Sequence, residues 1–318
     1  MSRLEIRPFS DEFLAPAGEL LATRHRAQRA AEPLLPPQYE DPAAARAEIE
    51  ALRALEGASG AVALRDGHVV GYLLGVRKND EVWGANMWVE LAGHAVEEAE
   101  DLRDLYAAAA ASWVAEGRVR HYALAPAWDA GLLEAWSRVG FGQQHAYGIR
   151  EVPAATWPEG TRPAEERDVD ALLELSPLIS NHHATAPVFS RGPVAESLEE
   201  QRAEILEDLA KPEIGDIVFE RDGRIVGSFQ NVPAELSSVH TGLARPDGAV
   251  LLGWAATDPA VRGSGAGVAL TEASFAWAHE RGHETMVTDW RVTNLLSSRF
   301  WPARGFRTTF LRLYRHIP

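Results

Sequence analysis

Cysteine is absent from the 318 residues. That excludes disulfides, thiolate metal ligation and a cysteine nucleophile, and it fits a cytoplasmic protein without requiring one. Long apolar runs are missing too. No stretch reaches the length of a membrane span, and the start Met1-Ser2-Arg3-Leu4-Glu5-Ile6-Arg7 has no signal-peptide pattern, so no membrane partner is expected. Positive charge is scarce: 31 Lys and Arg stand against 46 Asp and Glu, a net charge of −15. This argues against nucleic acid as a partner and mildly for cationic ones. The deficit is shared, since residues 160–318 hold 16 basic and 22 acidic side chains, so no basic domain hides inside an acidic total. What is present, 46 % hydrophobic and 24 % charged residues, is the profile of a soluble globular chain long enough for two domains.

The densest signal is Val261-Arg262-Gly263-Ser264-Gly265-Ala266-Gly267. It follows the apolar run Val250–Ala256 and precedes a helical pattern from Ala266 to Arg281. Strand, glycine-rich turn, then helix is a way to hold a pyrophosphate: glycines admit unusual backbone angles and close approach, and unpaired N–H groups at the helix start point at the anion. Arg262 adds positive charge. The spacing is neither a nucleotide-triphosphate loop nor a dinucleotide fingerprint. Downstream come an apolar strand over 284–289, then Asn294, and a helix over 295–304 that ends before Gly305-Phe306.

Arg-x-x-Gly-x-Gly, helix, strand, Asn, and a helix ending in Gly-Phe resembles the GNAT superfamily of acyl-CoA-dependent N-acyltransferases, over Asp258–Phe306. The resemblance implies acetyl-CoA as co-substrate, with no metal. It implies coenzyme contacts from Ala256 and Thr257 at the end of the strand, from Val261 to Gly267 in the loop, and from Asn294, Phe300 and Trp301. It further implies that a backbone N–H near Ala255–Ala256 polarises the thioester, and that the base is Asp289, where relatives carry a glutamate. An ordinary aspartate near pKa 4 is a weak base for an amine near ~10, unless burial raises it. Asp258 and Glu220 are reserve candidates. The tyrosine acid expected seven residues after Asn294 is replaced by Trp301, whose indole cannot deliver a proton. Tyr314 is the tyrosine left in this half, with Ser297, Ser298 or water as substitutes.

The chain repeats itself. Leu64-Arg65-Asp66-Gly67-His68-Val69-Val70-Gly71 recurs as Glu220-Arg221-Asp222-Gly223-Arg224-Ile225-Val226-Gly227, and Trp136 with Gly140-Phe141 recurs as Trp301 with Gly305-Phe306. Each Asp-Gly between apolar runs marks a tight hairpin. The copies stay collinear if the second holds an insertion within 231–249, with the Pro-rich stretch Val152–Pro158 as linker. The expected architecture is therefore α/β: two tandem GNAT-like domains over 1–152 and 160–318, each a mixed, mostly antiparallel sheet flanked by helices. In the second copy, the expected elements are a strand at Thr161–Pro163, a helix from Asp168, a helix over 195–209 with an acidic face, a hairpin over 217–229, and a terminal strand or hairpin over 306–315. The positions of Arg262, Gly265 and Gly267 fall on Glu97, Glu100 and Leu102 in the first copy, which is thus expected to keep the fold without a coenzyme site.

Acceptor selection is expected from the loop carrying His182-His183 and from the insertion carrying His240, which orient a substrate, shuttle a proton or do neither. His279-Glu280-Arg281-Gly282-His283 matches the zinc-protease signature, but Gly282 stands where the helix should end, so no metal is expected. The chain is expected to acetylate a primary amine of a small molecule or peptide by direct attack in a ternary complex, as a monomer or homodimer. A non-catalytic acyl-CoA-binding or sensing protein is the alternative. A covalent enzyme intermediate is not expected.

Overall fold

In the first copy, β1 (Leu4–Pro8), α1 (Leu14–Ala31), α2 (Pro42–Arg53), β2 (Ser59–Arg65), β3 (His68–Asp80), β4 (Gly84–Val89), β5 (His94–Val96), α3 (Asp101–Ala115), β6 (Arg120–Pro126), α4 (Ala130–Arg138) and β7 (Gly142–Glu151) follow in order. The second copy runs β8 (Thr161–Pro163), α5 (Val169–Leu175), α6 (Pro177–His183), α7 (Leu198–Leu209), β9 (Gly215–Arg221), β10 (Arg224–Pro233), β11 (Val250–Thr257), α8 (Ala266–Glu280), β12 (Thr285–Arg291), α9 (Ser297–Ala303) and β13 (Arg307–His316). These elements come from a computed structural model, which describes residues 3–80, 83–190 and 197–318. The mixed sheet flanked by helices is as expected.

The repeat is visible element by element. β2 and β9, and the starts of β3 and β10, are offset by 156 residues; α3 and α8, β6 and β12, and β7 and β13 by 165. The hairpin turns match in conformation. Asp66 and Gly67 have φ 52° and 83°, and Asp222 and Gly223 have 51° and 72°, the left-handed pair that a two-residue hairpin demands. The extra residues of the second copy lie between β10 and β11, in two short 3-10 turns at Ala234–Leu236 and Gly242–Ala244.

The chain divides into two compact units. One comprises Met1–Ala146, Gly242–Ala244 and Thr308–Pro318; the other comprises Tyr147–Thr241 and Arg245–Arg307. In the first unit the strand order is β1-β2-β3-β4-β6-β13, with β5 on β3. Among its described residues only β4 and β6 run parallel, and β13 pairs antiparallel with β6 from Phe310↔Pro126 to His316↔Arg120. In the second unit the order is β12-β11-β10-β9-β8, again with one parallel pair, β11 with β12. Its core holds Phe229, Leu252, Met286 and Val287 from the sheet and Leu270, Phe275 and Trp277 from α8, each worth roughly 1.5–3 kcal/mol when fully buried.

Two expectations need correction. His182 and His183, expected in a loop, end the helix α6; Ser176 precedes a proline at the first helical position, where the missing N–H costs nothing. The acidic helix starts at Leu198, where Ser197 and Glu200 form a capping box; the part of the expected helix over 195–196 lies outside the described residues. The C-terminal segment, expected as a strand or hairpin, is the strand.

Candidate functional site

In the second unit, β11 pairs with β12 only from Val250–Leu252 against Met286–Thr288. Thr288 Oγ1 donates to the Leu252 carbonyl at 2.9 Å and closes the paired stretch. Gly253 is bulged out of the β10 register, between Gln230↔Trp254 and Asn231↔Leu252. Beyond it Gly253–Thr257 continue along β10 while β12 diverges, so alternate backbone N–H groups face a notch. Ala256 is buried and Thr257 half-buried at its end.

The glycine loop follows directly. Asp258 Oδ1 accepts from Ala260 N at 2.8 Å and caps the short turn Pro259–Val261, which gives this reserve candidate a structural task. Gly265 is the N-cap of α8 at φ 92°, with no side-chain cap on the helix N–H groups, and Gly263 sits at φ 78°. A Cβ at either position meets nothing within 4 Å. The glycines are therefore required by backbone angle, and the space above them is open. Arg262, Gly263, Ser264 and Gly265 are exposed, Val261 is half-buried, and Ala266 is buried. A Cβ on Gly267 lies 3.4 Å from the Phe300 ring, so this glycine sets how closely α8 meets α9.

A further cation was missed in the sequence. Arg221, at the end of β9, donates through Nη2 to the Ser264 carbonyl at 3.4 Å. Its counterpart Arg65 shows what such an arginine does. It grips both carboxylate oxygens of Asp101 at 2.9 and 3.0 Å, and Glu98 at 3.2 Å, at the N-terminus of α3. Glu100, in Gly265's place, pairs with Arg103 and with Arg138 at 2.8 Å. The first unit thus fills its helix N-terminus with its own carboxylates, and its notch is filled as well. Past Val89↔Ala123, where β4 and β6 part, His94 Nε2 donates to the Leu124 carbonyl at 2.8 Å, and the buried Arg24 guanidinium donates to the carbonyls of Leu91 (2.7 Å) and His94. Burial pushes Arg24 down to about 10 and His94 to about 3.

Asp289 lies one residue beyond the end of β11–β12 pairing, half-buried, with Oδ2 3.7 Å from Nε2 of the buried His240. Arg291, two residues on and thus on the same strand face, donates to Ser190 Oγ at 3.1 Å. Asn294 is buried and busy. Its Oδ1 accepts from Leu296 N at 3.0 Å, capping α9, and meets His182 Nε2 at 3.1 Å, while Nδ2 meets His183 Nε2 at 3.3 Å. The histidine pair is therefore a strut from α6 to α9. Phe300 is half-buried and packs edge-on to Trp301. Trp301 is buried at 5 % exposure against Phe229 and Phe306. Ser297 Oγ is buried with no hydrogen-bond partner among the described residues. Glu220, the other reserve base, is paired with Arg162 at 3.2 Å.

Tyr314 is not among these residues. It lies on β13 in the first unit, its ring 5.0 Å from that of Tyr122. His279 closes α8, and His283 follows Gly282 (φ 76°), bonds the Gly248 carbonyl at 2.9 Å and stacks on Trp277, so the two histidines of the protease-like motif do not share a helix face.

The acetyltransferase (GNAT) family matches over residues 180–306, the segment that holds the notch, the glycine loop and Asn294. The chain carries a GNAT-family acetyltransferase domain. Acyl-CoA-dependent N-acetylation is the reaction class of that family, and acetyl-CoA its co-substrate. Among solved structures, a GCN5-related N-acetyltransferase from Sphaerobacter thermophilus is similar at 15 % identity and TM-score 0.57, over 98 % of this chain and 95 % of that one. The glucosamine N-acetyltransferase region of a fungal multi-domain GH3 β-N-acetylglucosaminidase is similar at 14 % identity and TM-score 0.53, over 99 % of this chain and 38 % of that one. These two show the GNAT fold. A tandem GNAT protein from the clavulanic acid biosynthesis pathway also matches, at 14 % identity and TM-score 0.48, over 99 % of this chain and 98 % of that one. No curated protein matches the sequence. Among the described residues no helix is long and apolar enough to cross a membrane.

Proposed function

We propose that the second unit binds acetyl-CoA and transfers its acetyl group to a primary amine of a small molecule or peptide, while the first unit binds no coenzyme. The observation that carries this is the contrast between two like helix N-termini. That of α8 has left-handed glycines, open space and two arginines. That of α3 is filled by Glu98, Glu100 and Asp101, each already paired to arginine. Pyrophosphate fits the first and is repelled by the second.

In this reading the thioester lies in the notch, with its carbonyl oxygen on a backbone N–H of the diverging part of β11. The ammonium of the acceptor gives its proton to Asp289, directly or through one water. The free amine then attacks the carbonyl carbon, the C–S bond breaks, and the CoA thiolate takes a proton. That proton is the one the attacking nitrogen sheds as the amide forms. Trp301 packs in the core in this reading and moves no proton, as does its counterpart Trp136 in the first unit.

Titration calorimetry with acetyl-CoA and CoA tests the binding half. One site per chain, lost in Gly265→Glu, supports the reading; two sites overturn the claim for the first unit, and none overturns the whole. A panel of hexosamines, polyamines and amino-acid amides then tests transfer, and binding without CoA release on any of them favours a sensor.

A further inference from the structure

Residues 234–249 join β10 to β11 and include an insertion of nine residues relative to the first copy, since the offset between the copies grows from 156 before this segment to 165 after it. This segment delivers His240. The ring is 1 % exposed, and Nε2 has no hydrogen-bond partner among the described residues, yet it lies 3.7 Å from Asp289 Oδ2. Its main chain is pinned, because Ser237 Oγ accepts from the N–H groups of Val239 (3.0 Å) and His240 (2.9 Å). The Tyr147 ring lies 5.1 Å from the imidazole and holds it in the plane it occupies. A buried imidazole nitrogen left unpaired is costly, so its retention calls for a role. The internal repeat points the same way: the residue in Asp289's place in the first copy is Leu124. The copy that lacks the insertion also lacks the carboxylate.

We propose that His240 is a positioning residue for Asp289. Its Nε2–H donates to Oδ2, and the carboxylate is thereby held with Oδ1 toward the amine's proton. Closing the gap by about 0.8 Å brings the pair to ordinary hydrogen-bond length. Because Nε2 is sealed from solvent while Asp289 is part-exposed, His240 acts through the carboxylate and touches no substrate. This rests on the reading of the second unit as an acetyltransferase with Asp289 as base.

The test uses the full chain as His240→Leu, His240→Gln, Asp289→Asn and the double variant His240→Leu/Asp289→Asn. Acetyl-CoA affinity is measured by calorimetry, and turnover with glucosamine, or with whichever panel amine proves fastest, by thiol release. The reagent reads CoA alone, since the protein has no cysteine. His240→Leu should lower kcat about tenfold or more, with acetyl-CoA affinity within about twofold. His240→Gln, which puts an amide N–H near the place of Nε2, should recover kcat to within about threefold. In the Asp289→Asn background, His240→Leu should add no further loss, which a merely structural role would not predict. Imidazole nitrogen NMR gives an arm independent of turnover, with the His240 signals, assigned by their absence in His240→Gln, moving in Asp289→Asn. Additive losses, unchanged kcat in His240→Leu, or ring signals indifferent to Asp289 overturn the positioning role alone. Wild-type protein that binds no acetyl-CoA, or binds it without turnover, overturns the acetyltransferase reading and this role with it.

Discussion

At the head of α8, backbone angle and charge act separately, and single residues can part them. Gly265→Ala keeps the open space but forces a side chain into φ 92°, at a cost of roughly 1 kcal/mol. Thermal unfolding should show a small drop, and acetyl-CoA should bind only a few-fold more weakly. Arg221→Met leaves the backbone alone and removes a guanidinium from the anion side of the loop. It should weaken acetyl-CoA roughly tenfold, with a shallower salt dependence, measured by calorimetry at two ionic strengths. The glycine loop was legible in the sequence because a left-handed angle leaves its mark on residue identity. Arg221 carried a signal too, as the repeat of Arg65, but what Arg65 grips is visible only once α3 is folded beside β2. The approach of His240 to Asp289 had no local signal, since it joins an insertion to a strand far along the chain.

Among the elements, the strands and α8 follow from apolar runs and glycine stops, whereas α6 does not. Seven residues with a histidine pair make no amphipathic stripe, and the proline that begins α6 also reads as a breaker. β9 carries a liability of its own. Asp216 is pushed up to about 6, by burial first and by Asp208 second. A carboxyl with a raised folded pKa takes up protons on folding, so its contribution to stability is present below about pH 4 and is lost as pH rises through about 6. Asp216→Asn removes a charge penalty on the order of 2 kcal/mol above that range. It should raise the melting temperature at pH 7.5 and leave it nearly unchanged at pH 4, by calorimetric scans at the two values.

Of the two units, the first carries the histidines that burial holds far below their ordinary value. In the first, burial holds His25 and His121 down to about 4 and His94 to about 3. A histidine depressed in the folded state is stable above its unfolded pKa near 6.5 and loses that stability as pH falls toward 4. The first unit should therefore unfold ahead of the second on acidification from pH 6.5 to 4, which hydrogen exchange resolved by peptide can follow. The doubling of the fold was legible because the hairpin and helix-end motifs recur in order. The membership of β13 was not, because an alternating apolar strand reads alike whichever neighbour it takes.

That last strand bears on the birth of the protein. The first unit's sheet has β6 at its edge until Phe310–His316 arrive, and those residues leave the ribosome after everything else in both units has been made. Throughout elongation the nascent chain carries an unclosed edge, the kind of surface that chaperones shield and that templates aggregation. A nonsense change near Arg307 would remove β13 and should therefore behave as a lesion of the amino-terminal unit.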